Sequence, residues 1–237
     1  MTRICTICAR SGSKGVKNKN IRLLRSKPLI AYTLIQAQES ALFDLIAVSS
    51  DSDEILDIAR KYGSDLLVKR PANLATDHAA KIPAIRHCVL TAEKERDILY
   101  DVIVDLSATS PLRLPEDIRN AVELLENKKV SNVITAAPAR RSPYFDLVEL
   151  KSDNVVGLSK PTGSPVVRRQ DSPKCYDMNG SIYAWHRRAL FEYPTVFNTD
   201  TQLYIMPEER SVDIDSYLDF DIAQMLMKKK AAADNNA

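Results

Sequence analysis

Four short apolar runs, spaced so that a helix fits between each pair, constrain this chain more than any other feature. They are Arg3–Ala9 (RICTICA), Asp44–Ser49 (DLIAVS), Asp101–Leu106 (DVIVDL) and Ser131–Ala137 (SNVITAA). Each is rich in β-branched residues and apolar on both sides, as strands buried on both faces are. The segments between them read as helices. Pro28–Gln38 opens with a proline in its first turn. Ser52–Tyr62 carries Ile55, Leu56, Ile58 and Ala59 on one face and stops at Gly63. Asp77–Glu95 and Pro115–Glu126 complete the set, the latter with Glu116 and Asp117 where a helix dipole favours acids. A β-α-β-α order of this kind implies an α/β fold, with a mostly parallel sheet flanked by helices through right-handed crossovers. In such sheets ligands collect at the carboxyl ends of the strands. Chemistry is therefore expected in Arg10–Asn20, Ser49–Asp53, Ser107–Arg113 and Ala137–Ser142.

The pattern breaks between 139 and 177. Pro138 leads into it, and four more prolines and two Arg-Arg pairs punctuate this stretch. A hairpin across Phe145–Leu158 with Ser-Asp-Asn at its turn is expected, forming a protruding arm that pairs with a second subunit. Core patterning resumes at Gly180–Trp185 and Leu203–Met206. A last helix, Tyr217–Lys229, is expected to turn Leu218, Ile222, Met225 and Leu226 inward. No internal repeat is present, so residues 1–237 read as a single domain carrying the 139–177 arm.

Charge is balanced overall, with 33 Lys+Arg against 31 Asp+Glu, so the molecule as a whole is no polyanion coat. The first thirty residues are different. They contain Arg3, Arg10, Lys14, Lys17, Lys19, Arg22, Arg25 and Lys27 and no acid. The turn Arg10-Ser-Gly-Ser-Lys-Gly15 follows the first strand, where glycines let backbone N–H groups cradle an anion and grouped cations hold it. It is neither a Walker A loop nor G-x-G-x-x-G; a solvated basic turn is the plain alternative. With no aromatic platform beside it, this turn is not expected to bind nucleic acid. Cys5 and Cys8 match C-x-x-C but lie inside the apolar run, so packing is favoured over redox or zinc chemistry. The sequence carries no signal-peptide pattern and no apolar run of spanning length, which reads as a cytoplasmic, non-membrane protein. Near the end, Val-Asp213-Ile-Asp215 sets two carboxylates two apart. On an extended strand they share a side and suit Mg²⁺ together with substrate phosphates. The alternative is a cap for the following helix, made by Asp215 or Ser216.

Five blocks together resemble the N-acylneuraminate cytidylyltransferases, or CMP-sialic acid synthetases. They are A-R-x-x-S-K-G…K-N (Arg10, Ser13, Lys14, Gly15, Lys19, Asn20), K-R-P-A-N-L-A-T-D (Lys69–Asp77), S-A-T-S-P-L-R (Ser107–Arg113), M-N-G-S-I-Y (Met178–Tyr183) and S-V-D-I-D-S-Y-L-D (Ser211–Asp219). The resemblance implies a Rossmann-like nucleotidyltransferase fold with a dimerisation arm. It also implies a reaction: the anomeric hydroxyl of a 3-deoxy-2-ulosonic acid attacks the α-phosphorus of CTP and pyrophosphate leaves. By the same resemblance Arg10, Gly12, Ser13, Lys14, Gly15 and Lys19 hold the triphosphate. Asn20 reaches the ribose and Arg70 the cytosine edge, a salt bridge being the alternative for Arg70. Asp213 and Asp215 bind Mg²⁺ and lie near the attacking hydroxyl. Arg169 orients the sugar carboxylate from an arm that reaches a partner subunit of a homodimer. Ser107, Asn179, Tyr183 and Phe197 line the sugar pocket, with Tyr183 equally readable as a strand aromatic. Arg10, Lys19, Asp213 and Asp215 are then the catalytic set.

Two positions depart from the family's pattern. Ser107 stands where a glutamine is frequent, and Asp177 where an arginine precedes N-G. Both changes fall on the sugar side, which favours an altered sugar such as legionaminic acid over N-acetylneuraminic or pseudaminic acid. The rival readings are a cytidylyltransferase for an eight-carbon ulosonate and a nucleotide-binding module without catalysis.

Overall fold

Seventeen elements follow in chain order in the computed structural model, which describes residues 1–234 apart from Ser13, Pro165 and Pro194. They are β1 (Arg3–Cys8), β2 (Leu23–Leu24), β3 (Lys27–Pro28), α1 (Leu29–Ser40), β4 (Leu45–Ser50), α2 (Asp53–Lys61), β5 (Leu66–Lys69), α3 (Lys81–Arg96), β6 (Val102–Leu106), α4 (Pro115–Lys128), β7 (Asn132–Pro138), β8 (Val148–Leu150), β9 (Val156–Leu158), β10 (Tyr176–His186), α5 (Arg187–Glu192), β11 (Gln202–Ile205) and α6 (Tyr217–Asp234). Seven strands form one sheet in the order β11-β7-β10-β6-β1-β4-β5. Within it β10 alone runs antiparallel to its neighbours, β6 and β7. The expected mostly parallel α/β sheet is therefore present.

Burial follows from sequence alternation. All six residues of β4 are buried. In β1, Cys5 and Ile7 pack toward α1, α2 and α4, while Ile4 packs toward α3 and α5. The α2 boundaries follow their signals: Ser52 Oγ accepts from the Ile55 amide, and Gly63 ends the helix at φ 83°. Helix α3 begins at Lys81 rather than at Asp77, because Asp77 is committed to ion pairs outside the helix. Short β5 and α5, and the small β2–β3 hairpin, were not readable from periodicity.

The last helix faces differently from the expectation. Phe220 and Ala223 are buried and Met227 is partly buried, packed against Val16, Leu24, Leu29 and Ile214, whereas Leu218 and Met225 point outward at 68% and 60% exposure. The helix is seated on the basic loop and the β2–β3 hairpin, and that contact sets its rotation. The 139–177 segment does contain the expected hairpin, β8 paired with β9, turning through Asp153 and Asn154 at positive φ. Its apolar residues Val148, Leu150, Val155 and Val156 are all exposed. No helix of the described residues is long and apolar enough to cross a membrane.

The strand order reverses beside β1: β4 and β5 lie to one side of it and β6 to the other. This is a topological switch point, where the chain ends leaving β1 and β6 diverge and open a crevice.

Candidate active site

A cleft of about 400 Å³ opens at that switch point. Arg10, Lys14, Gly15, Lys19 and Asn20 line it from the loop after β1. Ser107, Ala108 and Thr109 line it from the loop after β6, Arg70, Thr76, Asp77, Ala79 and Ala80 from the segment between β5 and α3, Lys81 from the start of α3, and Asp215 closes it. The basic loop and Asp215 thus meet at one cleft.

The loop is held from several directions. Ser11 donates to Asp51 through its amide (2.9 Å) and its hydroxyl (2.6 Å), so the segment after β4 supports the loop without entering the cleft. Burial raises the Asp51 carboxyl, but these Ser11 hydrogen bonds outweigh it and hold the group below its usual value. Val16 is fully buried against Ile214 and Phe220, which leaves Lys17 on the surface as its spacing implies. Asn18 turns the chain at φ 54°, a conformation asparagine tolerates. Lys19 then points inward and donates to the Ile214 carbonyl and to Asp215 Oδ1 at 2.9 Å. Gly15 makes the approach possible: a Cβ there would sit 1.9 Å from the Asp215 carbonyl oxygen. A Cβ at Gly12 would meet nothing within 4 Å, so that position faces open space. Ser13 lies outside the described residues.

Arg10 and Lys14 share one carboxylate, Asp77, at 3.1 and 2.8 Å, and Arg10 also donates to the Thr76 carbonyl. Asp77 thereby occupies the cations that an incoming anion would claim. Asn20 is buried, donating Nδ2 to the Arg10 carbonyl while Oδ1 has no partner among the described residues, an acceptor left for a hydroxyl. Arg70 is buried and forms no salt bridge among the described residues. It donates to the Ser49 hydroxyl and carbonyl instead.

The segment 211–215 is irregular rather than a strand. Ile214 N donates to the Thr109 carbonyl, and the Thr109 hydroxyl bonds both Asp213 Oδ1 and Ser107 Oγ. Capping of α6 falls to Ser216 and Asp219, whose side chains take each other's amides. Asp215 is therefore free of that duty and stands 78% exposed at the cleft mouth. Burial pushes the Asp213 carboxyl up, the neighbouring Asp215 charge adds to this, and the Thr109 hydroxyl with Lys19 and Lys81 opposes it. Among the described residues no group of three or more His, Cys, Asp or Glu is gathered for a metal. Two carboxylates two residues apart beside a basic loop are nevertheless a donor set that fits Mg²⁺, which takes one or two carboxylates and completes its shell with phosphate and water.

The sugar-side residues divide. Ser107 lines the cleft. Arg169 donates to the Ala139 and Arg140 carbonyls and lines a separate cavity in the arm. Asn179 is spent internally: its Oδ1 accepts from Thr135 Oγ1 and its Nδ2 donates to Ser211 Oγ. Gly180 beside it takes φ 60° at an irregularity in β10, a backbone reason for the N-G pair. Tyr183 is 7% exposed and stacks on Trp185, with ring centroids 5.5 Å apart. Phe197 is 64% exposed and borders a third cavity together with Asp177. Ala139, Arg141 and Ser142, which follow β7, border the arm cavities and not the cleft. Cys5 and Cys8 are free thiols. Burial drives Cys5 well above its ordinary value and Cys8 up to about 12, which suits packing and not redox chemistry.

Several contributors escaped sequence reasoning. Arg113 is fully buried, donating to Ser181 O, Thr33 Oγ1 and Ser107 O, so it braces the floor loop from behind. Asp51 and Thr109 position their neighbours. Lys81 and Asp105 form an ion pair at 2.8 Å under the cleft. Asp51, Thr109 and Arg113 lie in segments that leave strand ends, which signalled their position but not their roles; Lys81 and Asp105 carried no such signal.

A family model described as "Cytidylyltransferase" matches residues 4–234. A Campylobacter jejuni protein named CMP-N,N'-diacetyllegionaminic acid synthase is 48% identical over 227 residues, covering 96% of this chain and 95% of its own length. A Campylobacter jejuni pseudaminic acid cytidylyltransferase is 32% identical over 229 residues, covering 96% and 97%. A solved CMP:2-keto-3-deoxy-manno-octonic acid synthetase in complex with CTP superimposes with a TM-score of 0.70 at 15% identity, covering 97% of this chain and all of its own.

Proposed function

The chain belongs to the cytidylyltransferase family, and from that premise we propose that it transfers CMP from CTP to a nine-carbon 3-deoxy-2-ulosonic acid of the legionaminic type, releasing pyrophosphate. The observation that carries the reading is the convergence of the Arg10–Asn20 loop and Asp215 on one cleft, joined by the Lys19–Asp215 pair, with Asp213 held behind it on the Thr109 hydroxyl.

Catalysis on this reading is positioning and charge stabilisation. Arg10, Lys14 and Lys19, with the backbone at Gly12 and Gly15, bind the triphosphate and take up the charge that grows on the departing pyrophosphate. Arg10 and Lys14 exchange Asp77 for phosphate oxygens as CTP enters. The free Oδ1 of Asn20 accepts from a ribose hydroxyl, and Arg70 presents its guanidinium to the base. Asp213 and Asp215 would hold Mg²⁺, which when bound would supply charge neutralisation for the phosphates. A carboxylate oxygen of this pair that is not engaged by the ion would accept the proton of the attacking hydroxyl. Cytoplasmic CTP makes that compartment the setting of the reaction.

The sugar is argued from two features. The relative named for diacetyllegionaminic acid is 48% identical and the one named for pseudaminic acid 32%. Ser107, short and inside the cleft, leaves room where a longer amide would stand. Pseudaminic acid is the second reading. Pyrophosphate release with CTP, Mg²⁺ and a panel of purified ulosonic acids tests both. N,N'-diacetyllegionaminic acid is expected to give the highest kcat/KM, and preference for any other acid overturns the assignment. Asp213→Asn is expected to lower turnover by at least about 100-fold while CTP still binds; a fully active variant removes Asp213 from the chemistry.

The arm supports a homodimer. Two strands alone are marginal in water, and exposed apolar side chains along such a hairpin are what a partner covers. Arg169 lines no part of its own chain's cleft, which is consistent with service in a partner's.

A further inference from the structure

Lys81 is the first residue of α3, and its side chain reaches the floor of the cleft beside Ala80 and Ser107–Thr109. Its ammonium lies 2.8 Å from Asp105 Oδ2 and 4.4 Å from the centroid of the Tyr183 ring. Both supports are rigid. Asp105 is fully buried in β6, and its other oxygen accepts from Thr6 Oγ1 at 2.9 Å, across the register pair that joins β1 to β6. Tyr183 is clamped against Trp185. The Lys81 side chain nevertheless stays 40% exposed, toward the cleft. An ammonium has three N–H donors. Asp105 balances its charge as an ion pair and the aromatic face covers another side, which leaves the ammonium with donor capacity toward the cleft.

We infer that Lys81 binds the carboxylate of the acidic sugar and so sets its position against the nucleotide. This rests on the reading above that the acceptor is a 3-deoxy-2-ulosonic acid. Three observations favour the sugar over the triphosphate. The basic loop already offers Arg10, Lys14 and Lys19 to phosphate. The Lys81 charge is balanced by Asp105, so the pair directs a hydrogen bond without the strong field a polyanion demands. Finally, Lys81 lines the cleft together with Ser107, the residue that the proposed function puts on the sugar side. Burial works against the Lys81 charge, but Asp105 and Tyr183 outweigh it and keep the amine protonated. Arg169 lines the arm cavity of its own chain, so any part it plays is in a partner's cleft, and Lys81 is the cation this chain itself supplies at the floor.

The test is steady-state pyrophosphate release from CTP and Mg²⁺, with whichever ulosonic acid the parent turns over best. Lys81→Met is expected to raise KM for the acid about ten-fold or more, the size of one charge-assisted hydrogen bond, with KM for CTP held within about two-fold. Because that variant strands a buried Asp105, Lys81→Met/Asp105→Asn is measured beside it and is expected to give the same split. Inhibition by the C1 amide of the acid is the second readout. The parent is expected to discriminate acid from amide, and both variants to lose that discrimination, which a purely structural role would not produce. A rise in KM for CTP with no change for the acid, or unchanged discrimination, overturns the inference while leaving the reaction intact. A parent inactive with every ulosonic acid overturns the functional reading and the inference with it.

Discussion

Gly15 illustrates how much one side chain governs here. The absence of a Cβ allows the basic loop to lie against Asp215, at a separation that any other residue would violate by more than an ångström. Gly15→Ala must push the loop away from the acids, breaking the Lys19–Asp215 contact. It is expected to cost roughly 1–3 kcal/mol of stability and to reduce kcat/KM for CTP by at least about ten-fold, measured by urea unfolding and by pyrophosphate release. Unchanged kinetics would separate the loop from the acids. The glycine spacing and the charge cluster were both visible in the sequence. The reason for Gly15 was not, because its obstacle lies two hundred residues away.

At the level of elements, the buried strands and α1, α2 and α4 were legible because each is fixed by its own pattern of apolar residues and caps. The rotation of α6 was not. Periodicity put Leu218 and Met225 inside, and packing puts Phe220, Ala223 and Met227 there. Both stripes are apolar, so only the surface beneath the helix chooses between them. Phe220→Ala is expected to destabilise by about 3 kcal/mol and Leu218→Ala by no more than about 0.5 kcal/mol, read from chemical denaturation midpoints. The start of α3 follows the same logic: a locally helical stretch from Asp77 gives up its first turn because Asp77 is drawn to Arg10 and Lys14.

For the whole molecule, the exposed hairpin predicts assembly. The purified protein is expected to sediment at twice the 26.5 kDa chain mass, and Leu150→Asp/Val156→Asp to shift it toward monomer. Mixing inactive Arg169→Ala and Asp213→Asn chains, with exchange of subunits, is expected to restore part of the activity, because one cleft in the mixed dimer then has both groups. Sedimentation as a monomer, or no recovery on mixing, overturns the shared-site reading.

Composition, strand and helix periods and five short motifs determined by themselves the α/β class, the ends of the sheet where the cleft opens, and most of the basic residues that line it. Those properties are local: a buried strand, a glycine turn or a run of cations is written in consecutive residues. Folding alone decided that Asn179 serves the core, that Tyr183 carries an ammonium on its face, that Arg169 lies outside its own cleft and that Lys81 lies inside. Each of those is a meeting of side chains from distant strands, and one-dimensional spacing does not encode which partner, protein or substrate, a polar group will meet.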